Sequence, residues 1–280
     1  MPDFLANDAC ALPAIGLVAS SSNGTPIAIP TVNNTQGSKT QIVASTPDEA
    51  NGFIVILGAI TGGTSAAQIL VNLYIGASGQ EVPLVTGIQM GKSGSSIGAQ
   101  RIVTVPLNIP AGSRISASMQ TDAFGNCPEV RCTIIPLGVG FAGAPPCDAF
   151  EEWGIDSATS QGTQATASAT PYTKGAWVEM IAATGLDSQQ LVVQLQRASL
   201  AYGRYRLDIG VGASGSEVVA VGDITFVCGI DGGNDASQYC SRDMTLHIPL
   251  TIPAGSRISM RIESNGASAT ARASILAFGN

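Results

Sequence analysis

The sequence predicts an all-β protein built as two tandem antiparallel β-sandwiches of jelly-roll type, and three observations predict it. Glycine and proline take 33 and 15 of the 280 positions, too many chain breakers for a mainly helical fold. The chain repeats itself: PLNIPAGSRIS from Pro106 returns as PLTIPAGSRIS from Pro249, with only Asn108 against Thr251 different, and self-similarity on this scale marks a duplicated domain. Within each copy, apolar residues alternate with small or polar ones over short runs bounded by Gly, Pro, Asn and Asp, which is the period of a strand.

In chain order, residues 1–23 read as an extended N-terminal arm. Asp3 and Asp8 stand where a secretory signal would carry positive charge, and the arm's only counterpart between the copies is the linker. The first sandwich is expected at 24–139. It opens on the polar lead-in NNTQGSKTQ, its IGASGQEV phrase from Ile75 returns as VGASGSEV from Val211, and strands are expected at 102–109, 114–119 and 130–137. Residues 140–161 read as a linker stiffened by Pro145 and Pro146, where Glu151, Glu152 and Trp153 break the small-polar monotony. The second sandwich is expected at 162–280 as an autonomous domain. Arg204 to Val211 there places Tyr205, Leu207, Ile209 and Val211 on one face, and strands follow at 244–252, 257–262 and 271–278. Each copy should hold seven or eight strands. In the repeated Ile-Pro-Ala-Gly-Ser the proline is expected at the first central position of a tight turn, with glycine after it.

Composition narrows the function. The charged fraction is 12%, about half of the usual share, so the surfaces read as ones that are buried against neighbours. Thirteen basic residues scattered among twenty acidic ones give a net charge of −7, which argues against direct nucleic-acid binding. No apolar run approaches the roughly twenty residues of a membrane-crossing helix. His247 is the sole histidine, and Thr104 holds its duplicate position, so no catalytic pair is evident and an enzyme is not expected. Gly91-Lys92-Ser93 fails as a phosphate loop because Thr86 stands where the leading glycine belongs. Asp231, Asn234 and Asp235 resemble calcium ligands but lack the remaining spacing. Neither a metal nor a cofactor is therefore expected. Cys228 and Cys240 flank this Gly- and Asp-rich loop and form the candidate disulfide. Cys127 and Cys132 offer a tighter second bridge, and buried thiols are the competing reading for both pairs. Trp153, Trp177, Tyr202 and Tyr205 could form a platform for sugars, although Trp177 sits in a strand-like run where a core role is the default.

The phrases WVEMIAAT, DIGVGASGSEVV, IPLTIPAGSRISMRIES and ATARASILAFG together resemble repeat units of tailed-bacteriophage and prophage virion proteins. That resemblance implies a virion location and a non-enzymatic structural role in symmetric oligomers, with partners among the major capsid or tail proteins. The expected role is a capsid decoration or cement protein. The alternative is a tail, baseplate or fibre-associated component that contacts the host surface.

Overall fold

The computed structural model describes residues 24–61, 67–92, 100–127, 129–137, 147–198, 203–227 and 245–280. The arm at 1–23 and the candidate disulfide Cys228–Cys240 lie outside the described residues, as do Tyr202 and the loop carrying Asp231, Asn234 and Asp235. The first copy contains β1 (Thr25–Pro26), β2 (Thr40–Val43), β3 (Gly52–Thr61), β4 (Ala67–Ile75), β5 (Val82–Lys92), β6 (Gln100–Val105), β7 (Ile115–Thr121) and β8 (Glu129–Leu137). After it come β9 (Ala149–Trp153), β10 (Ile155–Asp156), β11 (Gln161–Thr166), β12 (Val178–Ile181), β13 (Ser188–Ala198) and β14 (Arg204–Val211). The chain ends with β15 (Val218–Val227), β16 (Thr245–Ile252), β17 (Ile258–Ser264) and β18 (Thr270–Gly279).

All strand pairings are antiparallel. The first copy forms sheets β1-β8-β3-β6 and β2-β7-β4-β5, and the second repeats this order as β11-β18-β13-β16 and β12-β17-β14-β15. This is the two-sheet, double Greek-key order of a jelly roll. The alternation read from sequence holds on β14, where Tyr205, Leu207 and Ile209 are buried. Tyr205 stacks on Phe226 at 5.1 Å.

Two local expectations change. The stretch expected to be a linker carries β9 and β10 and the start of β11. β9 pairs with β18, Trp153 opposite Ile275 and Phe150 opposite Phe278, and Trp153 is fully buried in the second core. The second copy therefore contains more strands than expected. In the repeated turn, Ser113 N–H donates to Pro110 O and Ser256 N–H to Pro253 O, so proline is the first residue of the turn and alanine the first central one. Gly112 and Gly255 take the second central place at φ of 77° and 80°, which L side chains avoid. Thr46 Oγ1 donates to Pro110 O and accepts from Ser113 N–H. Thr184 does the same for Pro253 and Ser256.

Candidate functional site

The surfaces of interest emerge from asking what each sheet face covers. Along β13 and β18, Leu191, Val193, Leu195, Ile275 and Ala277 point into the second core. The alternate residues Val192, Leu276 and Phe278 point the other way and join the core cluster of the first copy. Burying each such side chain is worth roughly 1.5–3 kcal/mol, so the two sandwiches share one apolar seam.

The polar side chains in that seam seal an edge. β5 ends its sheet, which leaves a row of backbone groups with no neighbouring strand. Gln194 accepts from Gln89 N–H at 2.8 Å and donates to Gly87 O at 2.9 Å, so one side-chain amide replaces a strand. Ser274 Oγ donates to Gln89 Oε1 at 2.6 Å. Arg101, 4% exposed, donates through Nε to Gln89 O, through Nη1 to Thr245 Oγ1 and through Nη2 to Leu195 O. It thereby clamps β5 and β6 of the first copy to β13 and β16 of the second. His247 also lies here: its Nε2 accepts from Thr104 N–H at 3.5 Å, and burial lowers its pKa. The lone histidine thus belongs to the seam.

Glu152 on β9 lies over Gly87, and burial raises its carboxyl pKa. A raised folded-state pKa contributes stability that is full below the ordinary carboxylate range and is lost as pH rises through the raised value. At neutral pH the half-buried charge is a cost. Glu152→Gln is therefore expected to stabilise the protein by roughly 1 kcal/mol at pH 7, with the gain shrinking toward pH 4 in thermal melts. An equal gain at both pH values would show that charge is not the cause.

The corresponding face of the second copy has diverged in a readable way. Leu70 pairs with Gln89 as Arg206 pairs with Thr225. Asn72 Oδ1 accepts from Gly87 N–H, and Asp208 Oδ1 accepts from Asp223 N–H. Around Asp208 the second copy adds Lys174 at 2.7 Å and Arg261 at 2.9 Å, while Arg206 pairs with Glu263 and Asp223. The Asp208 carboxyl pKa is lowered: burial works against this, and the Asp223 N–H, Lys174 and Arg261 outweigh it. Trp177, expected in a core, lies on this outer face instead, with the Arg261 guanidinium 4.4 Å from its ring centre. Gly210 makes room for it, because a Cβ there would sit 2.7 Å from the indole. The face buried by the seam in the first copy is neutral, and its equivalent in the second is charged, with the Asp208 and Glu263 carboxylates buried beneath Lys174, Arg261 and the more exposed Arg206.

Other charged pairs recur in both copies as turn staples. Glu81 binds Arg114 and Gly79 N–H, and Glu217 binds Arg257 and Gly215 N–H. The Glu81 carboxyl is held down to about 2, first by its own backbone N–H and then by Arg114. Cys132 is a buried free thiol, pushed up to about 12 by desolvation, so the Cys127–Cys132 bridge is not formed. Trp153 and Tyr205 lie in the core and Trp177 on the outer face, so these three do not assemble into a platform. Among the described residues, no group of three or more His, Cys, Asp and Glu could hold a metal ion, and no helix is long and apolar enough to cross a membrane.

The β15 edge lacks, among the described residues, the cover that β5 has. β15 ends its sheet as β5 does, and register places Thr225 where Gln89 has its outward N–H. Among the described residues, no counterpart of Gln194 covers it. Val218, Val219 and Val227 on β15 are 71%, 43% and 37% exposed, and Leu246 on the neighbouring edge strand β16 is 42% exposed.

No protein-family model and no curated protein matches the chain. Among solved structures, it is similar to the crystal structure of a "putative secreted protein" from Parabacteroides distasonis ATCC 8503. That match has 8% identity over 88% of this chain and 83% of that one, with a TM-score of 0.24. A likeness that distant carries no argument.

Proposed function

We propose that the protein is a non-enzymatic structural component of a tailed-phage virion, a decoration or cement protein that docks on a neighbouring virion protein through the β15 edge. The observation that carries this reading is the contrast between two equivalent edges. The first copy's β5 is sealed by Gln194 and Arg101, whereas the second copy's β15 has no such cover among the described residues and carries exposed valines. An open, apolar strand edge is a hazard that proteins usually blunt, and it is also the surface that an extended segment of a partner completes by strand addition. The sequence resemblance to virion repeat units and the low charge support the same reading, as does the use of jelly rolls in viral capsid domains, which is an analogy at the level of fold.

The test is made on purified particles. Val218→Lys with Val219→Lys places two charges on solvent-facing positions of β15, so the melting temperature should stay unchanged while attachment to particles is lost. Particles lacking the protein should keep their architecture and lose resistance to heat. Fully heat-stable particles that fail to adsorb to cells would overturn the cement role and point to the tail.

A further inference from the structure

The flank of the first sandwich between its edge strands β5 and β6 is closed by the second copy. There Val192, Leu276 and Phe278 reach in from β13 and β18 and join the first core, and Val85, Gln89 and Val103 are 0% exposed. The aligned copies put Val221, Thr225 and Leu246 at those three positions, on the edge strands β15 and β16. Here Leu246 is 42% exposed, Thr225 is exposed and Val221 is partly so, and Val227 adds another exposed apolar side chain. Leu246 pairs with Val193 as Val103 pairs with Val55, so register turns it toward the second core. Its exposure therefore marks the flank of a core, and an apolar patch of that kind is a surface for a partner.

The face that closes the first flank has a counterpart of its own, on the outer side of β3, β6 and β8. Ile54, Ile56 and Ile135 stand where Val192, Gln194 and Leu276 stand in the seam, and Ile102 stands where Thr245 does. In register, Ile56 lies between Ile102 and Thr133, and Ile54 between Thr104 and Ile135. Ile102 is 40% exposed, and Ile54, Ile56 and Ile135 are partly exposed. The chain thus carries, in exposed form, a second version of each half of the seam that it has already formed once.

We infer that a second copy of this chain docks its isoleucine face on the flank between β15 and β16, repeating between molecules the seam formed within one. The inference rests on the reading of the β15 edge as a docking surface and names its occupant. The seam itself is the template, since it seats the same face of the same sandwich on the same flank. The replacements also match across it. Gln194 and Gln89, bonded to each other in the seam, become Ile56 and Thr225 together, and Thr245, which accepts from Arg101, becomes Ile102. Isoleucines therefore meet Val221, Val227 and Leu246. The ions beside the flank are already paired, Asp208 with Lys174 and Arg261 and Glu263 with Arg206, as is Arg131 with Glu129 beside the face, so docking strips no charge of its partner. Without the Gln194 amide the contact is held by apolar burial and forms reversibly. Because it joins two different patches head to tail, it grows into a ring or a filament.

The test uses the purified full-length chain. In sedimentation equilibrium its average mass should rise with concentration beyond that of a dimer. Ile102→Lys blocks the face and Leu246→Lys blocks the flank, both at exposed positions, and unchanged melting temperatures show that the variants fold. Each variant alone should stay monomeric, and an equimolar mixture should give a dimer and nothing larger, because one intact face and one intact flank remain. A photoreactive p-benzoylphenylalanine at Val227 should cross-link isotopically light and heavy molecules to each other through peptides of β3 or β6, a readout that needs neither lysine variant. Dimerisation of Leu246→Lys by itself would overturn the inference in favour of two isoleucine faces meeting. A chain that stays monomeric at every concentration and gives no intermolecular cross-link would also overturn it, while loss of particle attachment by the Val218→Lys, Val219→Lys variant would still leave the β15 edge to a different virion protein. Head-to-tail assembly combined with full particle attachment by that variant would support the inference and defeat the virion docking reading instead.

Discussion

Arg101→Ala is expected to destabilise the protein by about 3 kcal/mol, the cost of leaving buried acceptors without a charged donor. The melting temperature should fall by roughly 6–10 °C for a chain of this size. The reason is positional. One guanidinium binds Gln89 O, Leu195 O and Thr245 Oγ1, so its loss opens the β5 edge and loosens both copies at once. Arg101→Lys keeps the charge and loses the planar fork, and should recover only part of the stability. Calorimetry should also show whether the seam couples the copies: the wild type is expected to melt in one transition and Arg101→Ala to broaden or split it. A loss below about 1 kcal/mol with a single sharp transition would mean that the apolar residues Val192, Leu276 and Phe278 hold the seam unaided.

The second large effect concerns where the second sandwich begins. A fragment spanning 162–280 lacks β9, and with it Trp153, which fills the second core and donates through Nε1 to Glu151 at 3.0 Å. Removing a buried indole costs roughly 3–5 kcal/mol, a large share of the 5–15 kcal/mol that holds a typical domain together. The fragment 162–280 is therefore expected to unfold at low denaturant or to be molten, while 147–280 should unfold cooperatively. The longer fragment still exposes Val192, Leu276 and Phe278 and should self-associate on sizing columns. Trp153→Ala in the full chain should show the same deficit. Cooperative unfolding of 162–280 at the stability of 147–280 would place β9 outside the cooperative unit.

These two results mark where the sequence could be read and where it could not. The strands were legible because their signal is local: Tyr205, Leu207 and Ile209 alternate with residues of the other face, and a period of two survives without knowledge of the fold. β9 was not, because Glu151 and Glu152 look like solvated linker. Only the folded chain reveals that Glu151 accepts from Trp153 Nε1 and Gly185 N–H, and that the Glu152 carboxyl packs over Gly87 of the first sandwich. The Ile-Pro-Ala-Gly-Ser turn was found from its residues but placed one position off, since both proline positions satisfy the fixed φ and only the hydrogen bond to Ser113 chooses between them.

By itself the sequence determined that this chain is all β, that it is duplicated, and that each copy carries the strand set of a jelly-roll sandwich, because periodicity and turn chemistry act over a few residues and repeat. The tertiary structure alone decided which equivalent faces are buried and which are open. Gln194 and Gln89 stand more than a hundred residues apart, and nothing in the local pattern says that one seals the other's edge. Leu70 against Arg206, and Ile56 against Gln194, are differences visible in the aligned copies. They acquire meaning only when the packing shows that one face is covered by the seam and its twin carries the ion pairs of Asp208 and Glu263, since the cost of burying a charge depends on what covers it.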